Sequence, residues 1–450
     1  MNAPPPPIST QTDAVDLDRL LDESPWRPYH TVLIVLTALT IVFDGIDNQL
    51  LGIVMPTVMR EWGLPRAAFA PVISSAYLGM MIGGALAGMA GDRFGRRNAL
   101  LTSMVIFGVM TIGVAFTNDV SSLGWMRLLA GIGLGGAIPN AASIAAEFAP
   151  KRRRPVAVTA TIVCVPLGAM IAGLLGVHAL PAYGWRMLFI AGGVVPIVAA
   201  ALLLTVLPES PHFLLRHRHK WPDLAALLRR MGHSVSASAS FAPPAGHVAS
   251  APVRAIVETG YLRDTSALWS AFFFCLLAVY LGFSWLTTLL VGAGFTPAFA
   301  SQGITAFNLG GVIGALSGSV VIARLGSRVS MLVMTAAAIV GAAVLAVTPL
   351  SPDRATLILV LLTITGGLIN AVQTTMYALA TNVYPVAARA TGVGAAAAFG
   401  RLGAITSGYA GAWAIGRDGG WSYFGLIALA MAACFLSLSI IGRHVQRRRA

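Results

Sequence analysis

The 450-residue sequence predicts an all-α integral membrane protein with twelve transmembrane helices in two six-helix bundles. Three observations lead there. Hydrophobic residues make up 56% of the chain and charged ones 10%, against about 25% charged in soluble domains. The apolar residues gather into segments that can cross a hydrocarbon core, which takes roughly 20 residues as a helix. A short basic signature also recurs: Gly91-Asp92-Arg93-Phe94-Gly95-Arg96-Arg97 follows the second segment, and Ile322-Ala323-Arg324-Leu325-Gly326-Ser327-Arg328 follows the eighth. Pro150 to Arg154 closes the fourth segment, and Pro385 to Arg389 closes the tenth at the same spacing. Parallel repeats of this kind put a substrate site between the halves, near the bilayer midplane.

In order, residues 1–28 form a polar tail, in which Val15, Leu17, Leu20 and Leu21 allow a turn or two of amphipathic helix. It has neither the basic start nor the apolar core of a cleavable signal, so the first span is expected to be its own insertion signal. The N-terminal bundle, residues 29–207, holds spans at 30–57, 68–90, 98–117, 122–147, 155–178 and 186–207. A polar loop, 208–265, follows; Pro208-Glu209-Ser210-Pro211-His212-Phe213-Leu214 suits the start of a surface helix, and the remainder, with Pro243-Pro244, reads as linker. The C-terminal bundle, 266–442, holds spans at 266–291, 300–323, 329–349, 355–383, 390–414 and 421–442, and 443–450 is a basic tail.

A net charge of +13 would suggest nucleic acid in a soluble protein. Here the basic residues sit in a few short connections, so topology explains them and no nucleic-acid partner is expected. Arg93, Arg96 and Arg97, then Lys151 to Arg154, then the central loop, then Arg324, Arg328 and Arg389 all mark one side. The positive-inside rule assigns both tails and the central loop to the cytoplasm of a multi-pass protein, expected in a bacterial inner membrane. Trp62, Trp125, Trp185, Trp269 and Trp421 lie at span ends, as an interfacial belt requires. Cys164, Cys275 and Cys434 lie in apolar segments and read as small core residues. Metal-ligand spacing, a nucleophile–base pair and a cofactor motif are all missing from the sequence, so neither an enzyme nor a bound cofactor is expected.

The chemistry centres on Asp44-Gly45-Ile46-Asp47 in the first span. A carboxylate near the bilayer centre costs roughly 2.5–3.5 kcal/mol on insertion scales, and this span carries two. Their spacing puts both on one helical face, extended by Asn48. An internal proton site is one reading; acids paired to arginines of neighbouring helices is the plainer one. Arg401, mid-way along span eleven, cannot readily lose its proton and must find an anion. Either a substrate carboxylate or an acid of another helix serves, in turn or permanently. Arg127 enters span four at a depth that suits Asp47.

Span ten carries Asn370, Gln373, Thr374, Tyr377 and Thr381 on one face. Span seven carries Tyr280, Ser284, Thr287 and Thr288, and span eight Gln302, Thr305 and Asn308. Polar stripes face a cavity or another helix rather than lipid, and helix–helix glue is the alternative. Asp92 and Glu147 lie at the cytoplasmic ends as gate candidates; Glu147 serves equally as a partner for the Lys151–Arg154 cluster.

Gly88, Asp92, Arg93, Gly95, Arg96 and Arg97 resemble the G-x-x-x-D-R-x-G-R-R loop of the major facilitator superfamily. The resemblance covers roughly 29–442 and implies the major facilitator fold. Within it, Asp44-Gly45-Ile46-Asp47 is similar to the D-G-x-D mark of aromatic acid:proton symporters. Arg127, Gly131, Gly133, Gly135, Glu147, Arg389 and Arg401 agree with that group, whereas Pro208-Glu209-Ser210-Pro211 is shared more widely. Val165-Pro166-Leu167-Gly168 departs from the Gly-Pro motif of drug antiporters.

The resemblance implies proton-coupled uptake of an aromatic carboxylate of the benzoate or hydroxybenzoate class, by a monomer, through alternating access. In that reading Asp44 and Asp47 couple the proton. Arg401, Arg127, Asn370, Gln373, Thr374, Tyr377, Tyr280, Ser284, Gln302 and Asn308 bind substrate. Asp92, Arg93, Gly95, Arg96, Arg97, Glu147 and Arg389 form the gate. Uptake of another organic or sugar acid, export of a drug or metabolite, and a sensor that binds without transport are the alternatives.

Overall fold

The computed structural model describes residues 14–236, 239–242, 261–384 and 389–444. Pro243-Pro244, Pro385 and the basic tail Arg447 to Arg449 therefore lie outside the described residues.

The membrane spans are α2 (Pro28–Trp62), α3 (Ala70–Phe94), α4 (Arg96–Val114), α5 (Val120–Phe148) and α6 (Arg154–Val206) in the first half. In the second half they are α9 (Leu262–Gly292), α10 (Pro297–Leu325), α11 (Ser327–Val347), α12 (Ala355–Val383), α13 (Arg389–Asp418) and α14 (Gly420–Ile440). The fifth and sixth spans are back to back in α6, where Gly184 at φ +75 breaks the helical path. Twelve spans result. Three short helices lie outside the bundles: α1 (Leu17–Asp22), α7 (Pro211–Arg216) and α8 (Trp221–Arg230). The loop is thus more than linker, because Leu224, Leu227 and Leu228 of α8 recur at helical spacing and are buried.

Without a hydrophobic drive between helices in lipid, close packing holds the bundle, and small residues permit it. A Cβ added at Gly79 or Gly83 of α3 would meet the backbone of Leu128 or Ile132, and one at Gly131 or Gly135 of α5 would meet Ala76 or Met80. The second half repeats the device: Gly310 and Gly314 of α10 lie against Thr363 and Gly367 of α12.

The halves meet along α2–α9, α3–α13 and α6–α10. At the end opposite the basic loops they are stitched together. Gln49 Nε2 donates to Phe283 O (2.6 Å), Arg66 Nη1 to Ile415 O (3.0 Å) and Ser74 Oγ to Ile405 O (2.7 Å). Tyr77 and Ser284 share a hydroxyl hydrogen bond of 2.7 Å, and Thr287 donates to Gly52 O. Among the described residues, these direct hydrogen bonds between the halves all lie from mid-membrane towards that end.

Candidate functional site

Asp44 occurs midway along α2, fully buried, and neither carboxylate oxygen has a hydrogen-bond partner among the described residues. Gly45 beside it brings α2 onto α6, since an added Cβ would meet the carbonyl of Val165. The charge that faces Asp44 comes from the other half: Arg401 of α13 lies within electrostatic range. Arg401 Nη1 is itself buried without a partner. The same guanidinium acts on Tyr77, Tyr280 and Tyr377, so three phenols and a carboxylate lie within its field.

Asp47 has a different environment. Its Oδ2 accepts from Arg127 Nη1 at 3.1 Å, with both side chains at most 2% exposed. Its Oδ1 accepts from Thr111 Oγ1 at 2.5 Å. Three residues along a helix turn a side chain by about 300°, leaving the two acids roughly 60° apart. That is one broad face on paper, yet Asp44 looks across the seam while Asp47 looks into its own half, towards α4 and α5. Thr111 escaped the sequence reading, because a lone hydroxyl in an apolar span carries no signal until its partner is known.

The remaining expected ligands divide. Tyr280 packs on Tyr77 with ring centroids 4.4 Å apart, and Asn48 reaches its hydroxyl. Ser284 bonds Tyr77, which the sequence reading missed. Gln373, Thr374 and Tyr377 are half-buried, and Tyr377 sets its ring against Phe272 at 5.2 Å. Asn370 turns elsewhere: its Nδ2 donates to Gly366 O (2.9 Å) and the side chain packs on Gly311 of α10, which makes it a helix contact. Asn308 Nδ2 likewise bonds Ile304 O of its own helix (3.0 Å), leaving its buried Oδ1 free.

The expectation for Gln302 is corrected. It is exposed and continues the stripe of Leu309, Ile313, Leu316 and Val320, which are 43–56% exposed on the outer face of α10. A spacing of 7, 11, 14 and 18 residues keeps one helix face, and that face points away from the seam.

The gate candidates form a cluster at the basic end of the first half. Arg96 Nη2 pairs with Asp92 Oδ1 (2.8 Å), and Arg96 Nε lies 3.8 Å from Glu147 Oε1. Glu147 takes a hydrogen bond from Ser210 and lies 3.4 Å from His212 Nδ1, while Arg154 turns to Asp22 at 2.8 Å. Its partners are therefore the α3–α4 loop and α7 rather than the Lys151–Arg154 run. Arg97 N and Ser210 N both donate to Glu209 Oε1, which lies against Gly95 at φ +103. His212 Nε2 bonds Asp18 Oδ1 of α1 at 2.8 Å. The Glu147 carboxylate beside Nδ1, reinforced by Asp18, pushes the His212 imidazole above its usual range despite its burial. Arg93 is exposed and stacks on Phe94. Arg389 opens α13, and its side chain lies outside the description.

Among the described residues, no cluster of His, Cys, Asp and Glu suits a metal ion.

Known proteins share this architecture and sequence. The family model described as Major Facilitator Superfamily matches residues 37–408. The chain is 34% identical to a gallate transporter of Pseudomonas putida, over 89% of this chain and 88% of that protein. It is 32% identical to a 4-hydroxybenzoate transporter of the same species, over 95% of each. Among solved structures, the E. coli xylose transporter XylE in a partially occluded inward open conformation matches with a TM-score of 0.72. That match covers 94% of this chain and all of the other at 17% identity, a likeness of fold alone. The twelve-span architecture, the basic loop after the second span and the family match over residues 37–408 together make this multi-pass membrane chain a member of the major facilitator superfamily.

Proposed function

We propose that the chain imports an aromatic carboxylate together with a proton, working as a monomer by alternating access. The observation that carries the reading is the bare Asp44 carboxylate opposite Arg401, across the seam between the halves and close to the middle of both helices. A guanidinium that keeps its charge needs an anion. Asp44 supplies one when ionised, and a substrate carboxylate matches the same planar fork when Asp44 is protonated. Proton and substrate then arrive together and leave together, because each makes room for the other.

The names of the relatives, gallate and 4-hydroxybenzoate transporters, support an aromatic acid as the cargo. Energetics favour symport. An inside-negative potential opposes entry of a monovalent anion by about 2.3 kcal/mol per 100 mV, and one accompanying proton removes that opposition. The positive-inside rule gives the basic end a cytoplasmic orientation in a bacterial inner membrane. The stitched end is then outside, and this conformation faces inward. The Asp92–Arg96–Glu147 cluster stays intact within the first half, ready to meet the second half when the basic end closes.

Uptake of radiolabelled benzoate and 4-hydroxybenzoate by cells expressing the chain tests the reading. Accumulation against a gradient that a protonophore abolishes is the expected result. Absence of accumulation of either acid, with the protein verified in the membrane, would overturn it.

A further inference from the structure

We propose that a subsite formed by Asn48, Tyr77, Arg127 and Ser284 reads a hydroxyl group on the ring of the substrate; this rests on the aromatic-acid reading above and narrows it to ring-hydroxylated acids. These side chains come from α2, α3, α5 and α9 and are 7%, 3%, 2% and 5% exposed. Together with Leu51 and Ile73 they line a cavity of about 10 Å³, room for a single water-sized oxygen.

The donors and acceptors around that space suit a phenol. Arg127 commits Nη1 to Asp47, but its buried Nε–H has no partner among the described residues. A buried donor left unpaired is costly, more so when it carries charge. Tyr77 and Ser284 use one hydrogen between them, and each hydroxyl retains acceptor capacity. A phenolic oxygen can accept from Arg127 and donate to the hydroxyl pair at once. A methyl group would leave those groups unpaired, and a second carboxylate needs room for two oxygens.

Register places the subsite at the right remove from the carboxylate site. Asn48 lies one turn beyond Asp44 on the same face of α2, about 6 Å along the axis. That is comparable to the span of a six-membered ring substituted at both ends. Arg401 acts on Asp44 at one end of this interval and on Tyr77 at the other. Tyr280, 4.4 Å from the Tyr77 ring and in reach of Asn48, flanks the path between them. A ring held by its carboxylate at Arg401 therefore points its far edge at the cavity.

The test is direct binding of benzoate and 4-hydroxybenzoate to the purified full-length protein, with the ratio of the two affinities as the readout. Wild type is expected to favour the hydroxylated acid by about tenfold or more, as a site that hydrogen-bonds a hydroxyl rejects the analogue lacking it. Ser284→Ala and Tyr77→Phe should each bring the ratio towards one, and Ser284→Thr should keep it. If both affinities fall in proportion, or the ratio does not move, these residues only pack the seam and the subsite is overturned. Equal wild-type affinities overturn the subsite while leaving the aromatic-acid reading intact. Binding of neither acid overturns both. Should Ser284→Ala fail to give a monodisperse protein, Tyr77→Phe carries the same comparison from the other end of the hydroxyl pair, again removing one oxygen.

Discussion

Two carboxylates three residues apart on α2 occupy opposite kinds of site. Both oxygens of Asp47 are satisfied: a buried arginine donates to one and a threonine to the other, all within one half of the molecule. Around Asp44 nothing is satisfied, and the opposing charge belongs to the half that must move. A group that changes protonation during a cycle needs freedom from fixed donors, and one that holds a bundle together needs the reverse. In the proton-coupled reading proposed above, the exchanging proton belongs to Asp44, and Asp47 holds α2, α4 and α5 in register.

Substitution separates the two most sharply. Asp47→Asn leaves Arg127 as an uncompensated buried charge, which costs about 3–5 kcal/mol. Thermal unfolding in detergent should show a large loss for this variant, and a smaller one for Asp47→Asn combined with Arg127→Gln, since the double change removes the orphaned charge. Asp44→Asn breaks no hydrogen bond, and the Arg401 it faces is only half-buried, so it should be destabilised less than Asp47→Asn while losing concentrative uptake. Equal destabilisation by both single changes would dissolve the distinction.

The next effect concerns what brings Asp44 to its place. Gly45→Ala puts a methyl against the carbonyl of Val165 and the Cα of Gly168, backbone on both sides. Relief requires moving α2 off α6, an overpacking cost of about 1–3 kcal/mol, and uptake should fall with stability. Gly88→Ala in the basic-loop motif meets nothing within 4 Å, so its melting temperature should be unchanged. A stable, active Gly45→Ala protein would show that the two helices do not need this contact.

Much of this was legible beforehand, and the limits have physical causes. Span count, the two halves and the basic side follow from hydropathy and charge, because a bilayer imposes length and polarity on every segment that crosses it. The special acids and Arg401 stood out because charge in hydrocarbon is costly. Direction around a helix was harder. Asp44 and Asp47 share a face by periodicity but diverge by about 60°, enough to give them different neighbours. Gln302 sat on a plausible polar stripe with Thr305 and Asn308, yet it falls on the exposed side of α10. Hydroxyls such as Tyr77 and Thr111 cost little in a membrane, so nothing in the sequence singled them out. The central loop looked like linker because the burial of α8 and the reach of His212 to Glu147 depend on a surface that only the folded bundle provides.

A smaller effect appears where the first half meets its own N-terminal segment. His212 joins Asp18 of α1 to Glu147, and those carboxylates hold its folded-state affinity for protons above that of a free imidazole. Stability from this contact is fully present below about pH 6.5, the ordinary imidazole value, and is lost as pH rises through the higher folded value. Because the His212 side chain is 34% exposed, the gain is discounted to under about 1 kcal/mol. Protection factors of the amides in residues 16–24, which divide out the intrinsic base catalysis of exchange, should fall on the alkaline side in wild type. In His212→Ala they should be low and insensitive to pH across the same range. Unaltered pH dependence in that variant would move the titration to another group, with His233, bonded to Ser24, the neighbouring imidazole.

The smallest effect tests which way α10 faces. If Gln302 belonged to the substrate cavity, replacing it by an apolar residue would remove a hydrogen-bonding group from the site and weaken binding. On the exposed stripe with Leu309 and Ile313 it has lipid or the membrane surface beside it instead, and Gln302→Leu only lengthens an apolar face that already exists. The melting temperature and uptake of Gln302→Leu should match wild type within error, whereas Tyr377→Phe, on the half-buried face of α12 near Arg401, should weaken substrate affinity. A loss of affinity in Gln302→Leu comparable to that in Tyr377→Phe would turn α10 by about half a revolution relative to the seam. The crossing of Gly310 and Gly314 against Gly367 resists such a turn, because rotating the glycines away would drive side chains of α10 into the backbone of α12.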